Sequence, residues 1–111
     1  ILEGIDENHI LKKEVPGALE IPMIINAYAT KKKFDVLIGV GAVIRGETYH
    51  FEVVSDQSAN GLMQVQLRHN IPEINAIITT NSGEEAFART KIKGKEAAAG
   101  AIEMALLVSD I

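Results

Sequence analysis

The chain contains no cysteine and no tryptophan, and its basic residues do not outnumber its acidic ones. Without cysteine there can be no disulfide and no thiolate metal site, and the composition agrees with a cytoplasmic protein. Lys+Arg 11 against Asp+Glu 15 leaves a net charge of −4. No basic stripe remains to meet a nucleic acid, and the one cationic run, Lys31-Lys32-Lys33, reads as a solvated connection. No apolar run approaches the roughly 20 residues of a membrane span, so no membrane partner is expected. The start of the chain lacks the charged, apolar and small-residue regions of a signal peptide, and it lacks an initiator Met, so the sequence reads as a fragment. The three histidines, His9, His50 and His69, lie far apart with no other clustered ligands, which argues against a metal site. Aromatic residues make up only 5% of a chain that is 47% hydrophobic, so its core has to be aliphatic. At 111 residues the whole chain, 1–111, makes a single domain.

What is present is organised around residues 36–50. Val36, Leu37, Ile38 and Val40 form a short, mostly β-branched run that predicts a strand buried on both faces. Gly39 and Gly41 mark a close backbone approach near its end. Arg45, Gly46, Glu47 and Thr48 read as a turn, and His50 stands just before a segment of helical spacing. Ahead of this stretch, residues 1–13 read as helical or frayed, with Leu2, Ile5 and His9 in spacing and Gly4 against it. Val15-Pro16-Gly17 ends that segment. Ile21, Ile24, Ile25 and Tyr28 then predict a helix over 20–29, with Pro22 in its first turn. After the central stretch, Val54, Ser58, Leu62 and Val65 define one face of a helix over 51–70 that stops at Asn70. Residues 74–80 predict a second strand, and Ser82 caps a short helix through Glu84, Glu85 and Phe87. Residues 90–95 read as a basic, glycine-containing loop, and 96–108 as an alanine-rich helix. Strands alternating with helices predict an α/β fold with a parallel sheet, and residues 12–15 are a candidate third edge. So thin a sheet on so apolar a chain implies a missing strand or a covering subunit.

Several residues qualify for chemistry, each with a plainer alternative. His50 sits where an open α/β sheet binds ligands, and imidazole carries protons near neutral pH; the alternative is a helix-cap histidine. His9 and His69 sit on polar helix ends and are expected to face solvent. Gly46-Glu47-Thr48 offers backbone N–H groups and a hydroxyl to a phosphate, although Glu47 has the wrong sign and an ordinary turn fits equally. Arg89, Lys91, Lys93 and Lys95 form a basic cluster that could clamp a phosphate or lie solvated. Glu20 could accept hydrogen bonds from a polyol or serve only as a first-turn acid.

Residues 15–22 (VPGALEIP), 41–51 (GAVIRGETYHF) and 101–105 (AIEMA) together resemble the 6,7-dimethyl-8-ribityllumazine synthases of riboflavin biosynthesis. The resemblance spans residues 15–107. It implies a flavodoxin-like three-layer α/β/α fold with a parallel four-stranded sheet whose first strand is absent from this chain. It implies condensation of 5-amino-6-(D-ribitylamino)uracil with 3,4-dihydroxy-2-butanone 4-phosphate, releasing phosphate and water, with no cofactor. The implied partners are these two small molecules, further copies of the chain in a pentamer, decamer or sixty-subunit shell, and riboflavin synthase. The active sites would lie between neighbouring subunits.

By the same resemblance, His50 matches the proton-transfer histidine and Arg89 the phosphate-binding arginine from the adjacent subunit. Gly46, Glu47 and Thr48 match the phosphate turn, and Ala18, Leu19 and Glu20 the ribityl-binding segment. Val43 and Ile44 match the wall of the pyrimidine pocket, and Ala42 beside them is expected among the substrate-binding residues. Three departures stand out. The family's first strand and its stacking aromatic have no counterpart here. The stretch from Arg89 to Gly94 is short, which makes Lys93 a further phosphate candidate. Leu19 and Asn75 stand where an aromatic is common. A non-catalytic, shell-forming or flavin-binding relative is the competing reading. A generic nucleotide binder is disfavoured by the lack of a dinucleotide fingerprint.

Overall fold

The computed structural model describes residues 5–111, and the expected helix positions Leu2 and Gly4 fall outside this range. In chain order the described residues form α1 (Ile21–Thr30), β1 (Leu37–Ile44), α2 (His50–His69), β2 (Glu73–Thr80) and α3 (Gly83–Ser109), with 3₁₀ turns at Glu7–His9 and Ala18–Glu20. β1 and β2 run parallel, with Leu37 opposite Glu73 and Ile44 opposite Thr80. Helix α2 makes the crossover between them, as a parallel pair requires.

Each long element follows from its local sequence. The stripe Val54, Ser58, Leu62 and Val65 is the buried face of α2. Asn70 ends that helix in the left-handed region (φ 56, ψ 35), which asparagine tolerates better than most residues, and its N–H reaches the Gln66 carbonyl at 2.9 Å. Helix α1 carries Pro22 in its first turn, where the missing N–H costs nothing, and buries Ile21, Ile25 and Ala29. The Ser82 side chain accepts the Glu85 N–H at 3.2 Å and caps α3.

The main core lies on one face of the strand pair. Ile21, Ile25 and Ala29 of α1 meet Leu37 and Val43 of β1, Val54, Leu62 and Val65 of α2, and Ile77 of β2. Small residues let the two helices close on each other and on the sheet. A Cβ built on Gly61 would lie 2.8 Å from Pro22 Cβ and Cγ, and one on Gly39 would lie 3.0 Å from Ile21 Cγ2. The close approach expected at Gly39 is therefore helix packing. Helix α3 covers the other face, where Gly100 approaches Ile74 and Gly83 approaches Ile44. The expected three layers, helix, parallel sheet and helix, are present.

Three local expectations are corrected, and residues 5–13 follow the second of their two readings, helical or frayed. β1 is buried on one face only: Leu37, Gly39 and Val43 point inward, whereas Val40 is 71% exposed. Its apolar run gave no sign of this, because a continuous run hides which face has a partner. Residues 90–95 are not a loop, since α3 runs unbroken through them for 27 residues. Their three lysines, Lys91, Lys93 and Lys95, are good helix formers, and one glycine in a solvated helix costs only about 0.5–1 kcal/mol. Residues 12–15 form no strand, so the sheet among the described residues is the pair β1–β2 and the two further strands implied by the family are not formed here. Residues 5–13 are irregular around one 3₁₀ turn, with Asp6 capping it by accepting the Asn8 N–H at 2.9 Å.

Candidate active site

At the carboxyl end of β1 the chain turns outward through residues 45–49 and enters α2. The turn is closed locally: the His50 N–H donates to Thr48 Oγ1 at 3.3 Å. The Thr48 hydroxyl thereby does the capping that Tyr49, the formal N-cap, does not supply with its side chain. This fixes His50 as the first residue of α2, with its ring exposed.

A cleft of about 280 Å³ opens between this junction and the 3₁₀ turn ahead of α1. Ala42, Val43 and Ile44 of β1 form one wall, Ala18 closes one side, and Gly46, Thr48 and His50 supply the rim. Phe51 and Val54 complete the lining. Neither was singled out as a site residue, although His50 and Val54 stand four apart on one helix and so share a face. The arrangement offers an apolar wall suited to a flat ring. It also offers a hydroxyl, an imidazole and the positive end of a 20-residue helix suited to an anion.

Other expected residues stand apart from this lining. Leu19 and Glu20 lie beside the cleft in the Ala18–Glu20 turn, both exposed. The Glu20 side chain makes no capping bond to α1. Glu47 is exposed on the turn, and Asn75 is exposed on β2. Arg89 and Lys93 lie on α3, across the sheet from α1 and α2, so the single chain does not bring them to the cleft. His9 is exposed, as expected, whereas His69 is half-buried and pairs through Nε2 with Asn26 Oδ1 at 2.8 Å, which ties the end of α2 to α1. Among the described residues no group of three or more His, Asp or Glu is placed to hold a metal ion, and no helix is long and apolar enough to cross a membrane.

Comparison with known proteins bears directly on this cleft. The family model for 6,7-dimethyl-8-ribityllumazine synthase matches residues 2–109. A 6,7-dimethyl-8-ribityllumazine synthase of Nitrosospira multiformis is 54% identical over 105 residues, covering 95% of this chain and 66% of the relative. That of Albidiferax ferrireducens is 50% identical over 108 residues, covering 97% of this chain and 69% of the relative. That of Nitrosomonas europaea is 53% identical over 105 residues, covering 95% and 64%. The chain thus spans about two thirds of the length of the curated relatives it matches. The match runs through the strand, turn and helix that build the cleft, and the chain belongs to the 6,7-dimethyl-8-ribityllumazine synthase family.

Proposed function

We propose that the cleft is this chain's share of a lumazine synthase active site, a transferase site joining 5-amino-6-(D-ribitylamino)uracil to 3,4-dihydroxy-2-butanone 4-phosphate. The observation that carries this reading is the convergence of two separate stretches, Ala18 and the segment from Ala42 to His50, on one cleft. The amine of the uracil attacks the ketone carbonyl and loses water to form an imine. Phosphate then leaves, and the ring closes with loss of a second water to give 6,7-dimethyl-8-ribityllumazine. Ala42, Val43 and Ile44 would wall the pyrimidine, and Ala18, Leu19 and Glu20 would meet the ribityl chain. Gly46, Glu47 and Thr48 would hold the phosphate at the start of α2. His50 would move protons during imine formation and ring closure. Holding both substrates in one cleft would supply much of the remaining rate.

Arg89 would reach the phosphate from an adjacent subunit, with Lys93 as a second cation. Their position on α3, away from the cleft of their own chain, supports a site completed by a second copy. So does the amount of apolar surface left open, with Val40 71% and Phe87 87% exposed. The proposed assembly is a homopentamer, the unit from which decamers and icosahedral shells are built, and the proposed location is the cytoplasm.

The test is direct: protein, both substrates, and measurement of lumazine formed and phosphate released. His50→Ala is expected to slow turnover about 100-fold while the oligomer's mass stays unchanged. An unaltered rate would remove His50 from the mechanism. Arg89→Ala is expected mainly to raise KM for the phosphate substrate. Substrate binding without turnover in the unmutated protein would replace the enzyme with a non-catalytic assembly.

A further inference from the structure

We propose that Arg45 is a positioning residue for this site, a clamp that fixes the turn carrying Gly46, Thr48 and His50. The inference rests on the reading of the cleft as a lumazine synthase site. Its geometry comes from one residue that ties the end of β1, through its backbone and its side chain, to the end of β2 and the start of α2. The Arg45 backbone N–H donates to the Thr80 carbonyl at 2.9 Å, which carries the β1–β2 ladder one residue past the strands. Arg45 Nε donates to Asn81 Oδ1 at 2.9 Å, just beyond β2. Its Nη1 pairs with the Glu52 carboxylate in the first turn of α2. Its guanidinium carbon stands 4.4 Å from the centre of the Phe51 ring, which lines the cleft.

The turn itself has little else to hold it. Residues 45–50 are all exposed, and a Cβ built on Gly46 would meet nothing within 4 Å. The planar guanidinium suits this task because it serves Asn81 and Glu52 from different nitrogens while its face lies against Phe51. A lysine ammonium could reach one of these partners but could not reproduce the fork. The pairing is half-exposed, with Arg45 at 49% and Glu52 at 31%, so its worth to global stability is small. Its effect falls on the position of His50 and Phe51, and displacements of the order of 1 Å in a reacting group cost about 100-fold in rate.

The test uses the full-length protein and the variants Arg45→Ala, Arg45→Lys and Asn81→Ala, with two readouts. One is kcat and KM for the phosphate substrate; the other is amide hydrogen exchange over residues 46–54. Arg45→Ala is expected to lower kcat/KM by about 10- to 100-fold and to speed exchange across the turn, with the thermal midpoint little changed. Arg45→Lys should recover only part of this, Asn81→Ala should lose less, and the double variant should be no worse than Arg45→Ala alone. Wild-type kinetics in Arg45→Ala would overturn the proposal. So would lost activity with unchanged exchange, which would make Arg45 a direct substrate contact. Should the unmutated protein form no product, the functional reading fails by itself, and exchange alone then decides the clamp: equal rates in Arg45→Ala and unmutated protein would overturn it.

Discussion

The two faces of the β1–β2 pair have similar apolar sequence and very different cover. On the α1/α2 face, Leu37, Val43 and Ile77 join a continuous aliphatic core, and Leu62 is only 2% exposed. On the α3 face the buried apolar side chains are mostly alanines, Ala76, Ala86, Ala97 and Ala101, while Val40 is 71% and Leu106 63% exposed. Alanines allow close approach but remove little area from water. Each larger aliphatic side chain that is fully buried contributes about 1.5–3 kcal/mol. The first face therefore holds the chain together, and the second leaves apolar surface open, which supports the proposal of a site completed by a second copy.

The largest effect should come from breaking the first face. Leu62→Ala is expected to cost about 2–5 kcal/mol, because the α1–α2 interface has no room to collapse around the lost methyls. Leu106→Ala should cost no more than about 0.5 kcal/mol in the isolated chain. Urea unfolding of both variants checks the contrast. A loss at Leu106 as large as that at Leu62, seen only in the assembled protein, would identify Leu106 as part of a subunit interface.

The sequence was most legible where the first face made it so. The stripe on α2, the Asn70 stop, the helix over Ile21–Thr30 and the Ser82 cap are local signals, and each is where it was expected. The cleft was legible in part: Ala18, Ala42, Val43, Ile44, Gly46, Thr48 and His50 come together, because a strand end and the following helix start are neighbours by construction. What could not be read depends on contacts distant in sequence. Nothing near Arg45 announces Asn81, 36 residues away, as its partner. Nothing near His69 announces Asn26, 43 residues away. Whether β1 is covered on one face or two depends on what else packs there, and a hydrophobic run has no record of that. The helix through residues 90–95 was missed because lysine and glycine resemble a loop in composition, although only glycine disfavours a helix.

The next effect sharpens the contrast through charge. Glu73 begins β2 opposite Leu37, on the tightly packed face. It is buried, both carboxyl oxygens lack a hydrogen-bond partner, and burial pushes its pKa up to about 8. The folded chain thus keeps a proton that an unfolded chain, with an ordinary carboxyl near 4.3, gives up. Between these values the native state binds more protons, so stability falls as pH rises from about 4.5 to 8 and levels off above. Thermal unfolding at pH 5, 7 and 9 should show that fall, and Glu73→Gln should flatten it. Glu52, half-exposed on α2, behaves oppositely: a backbone hydrogen bond first, and Arg45 second, hold its carboxyl below the ordinary value. An unchanged pH profile in Glu73→Gln would place the responsible group elsewhere.

Two glycine substitutions give moderate effects of opposite sign. Gly61 lies where α1 and α2 touch, and an added Cβ would sit 2.8 Å from Pro22 Cβ and Cγ. The pyrrolidine ring cannot swing aside, so Gly61→Ala should push the helices apart and cost about 1–3 kcal/mol. Gly94 lies in the middle of α3, where an added Cβ would meet nothing within 4 Å. Alanine there relieves the entropy that glycine loses in a helix, so Gly94→Ala should stabilise the isolated chain by about 0.5–1 kcal/mol. Helicity by circular dichroism should rise with it. A gain in stability at Gly94 requires that residues 90–95 be helical in solution. A loss there, with Gly61→Ala still destabilising, would return this segment to a loop and confine the ordered packing to the α1/α2 face.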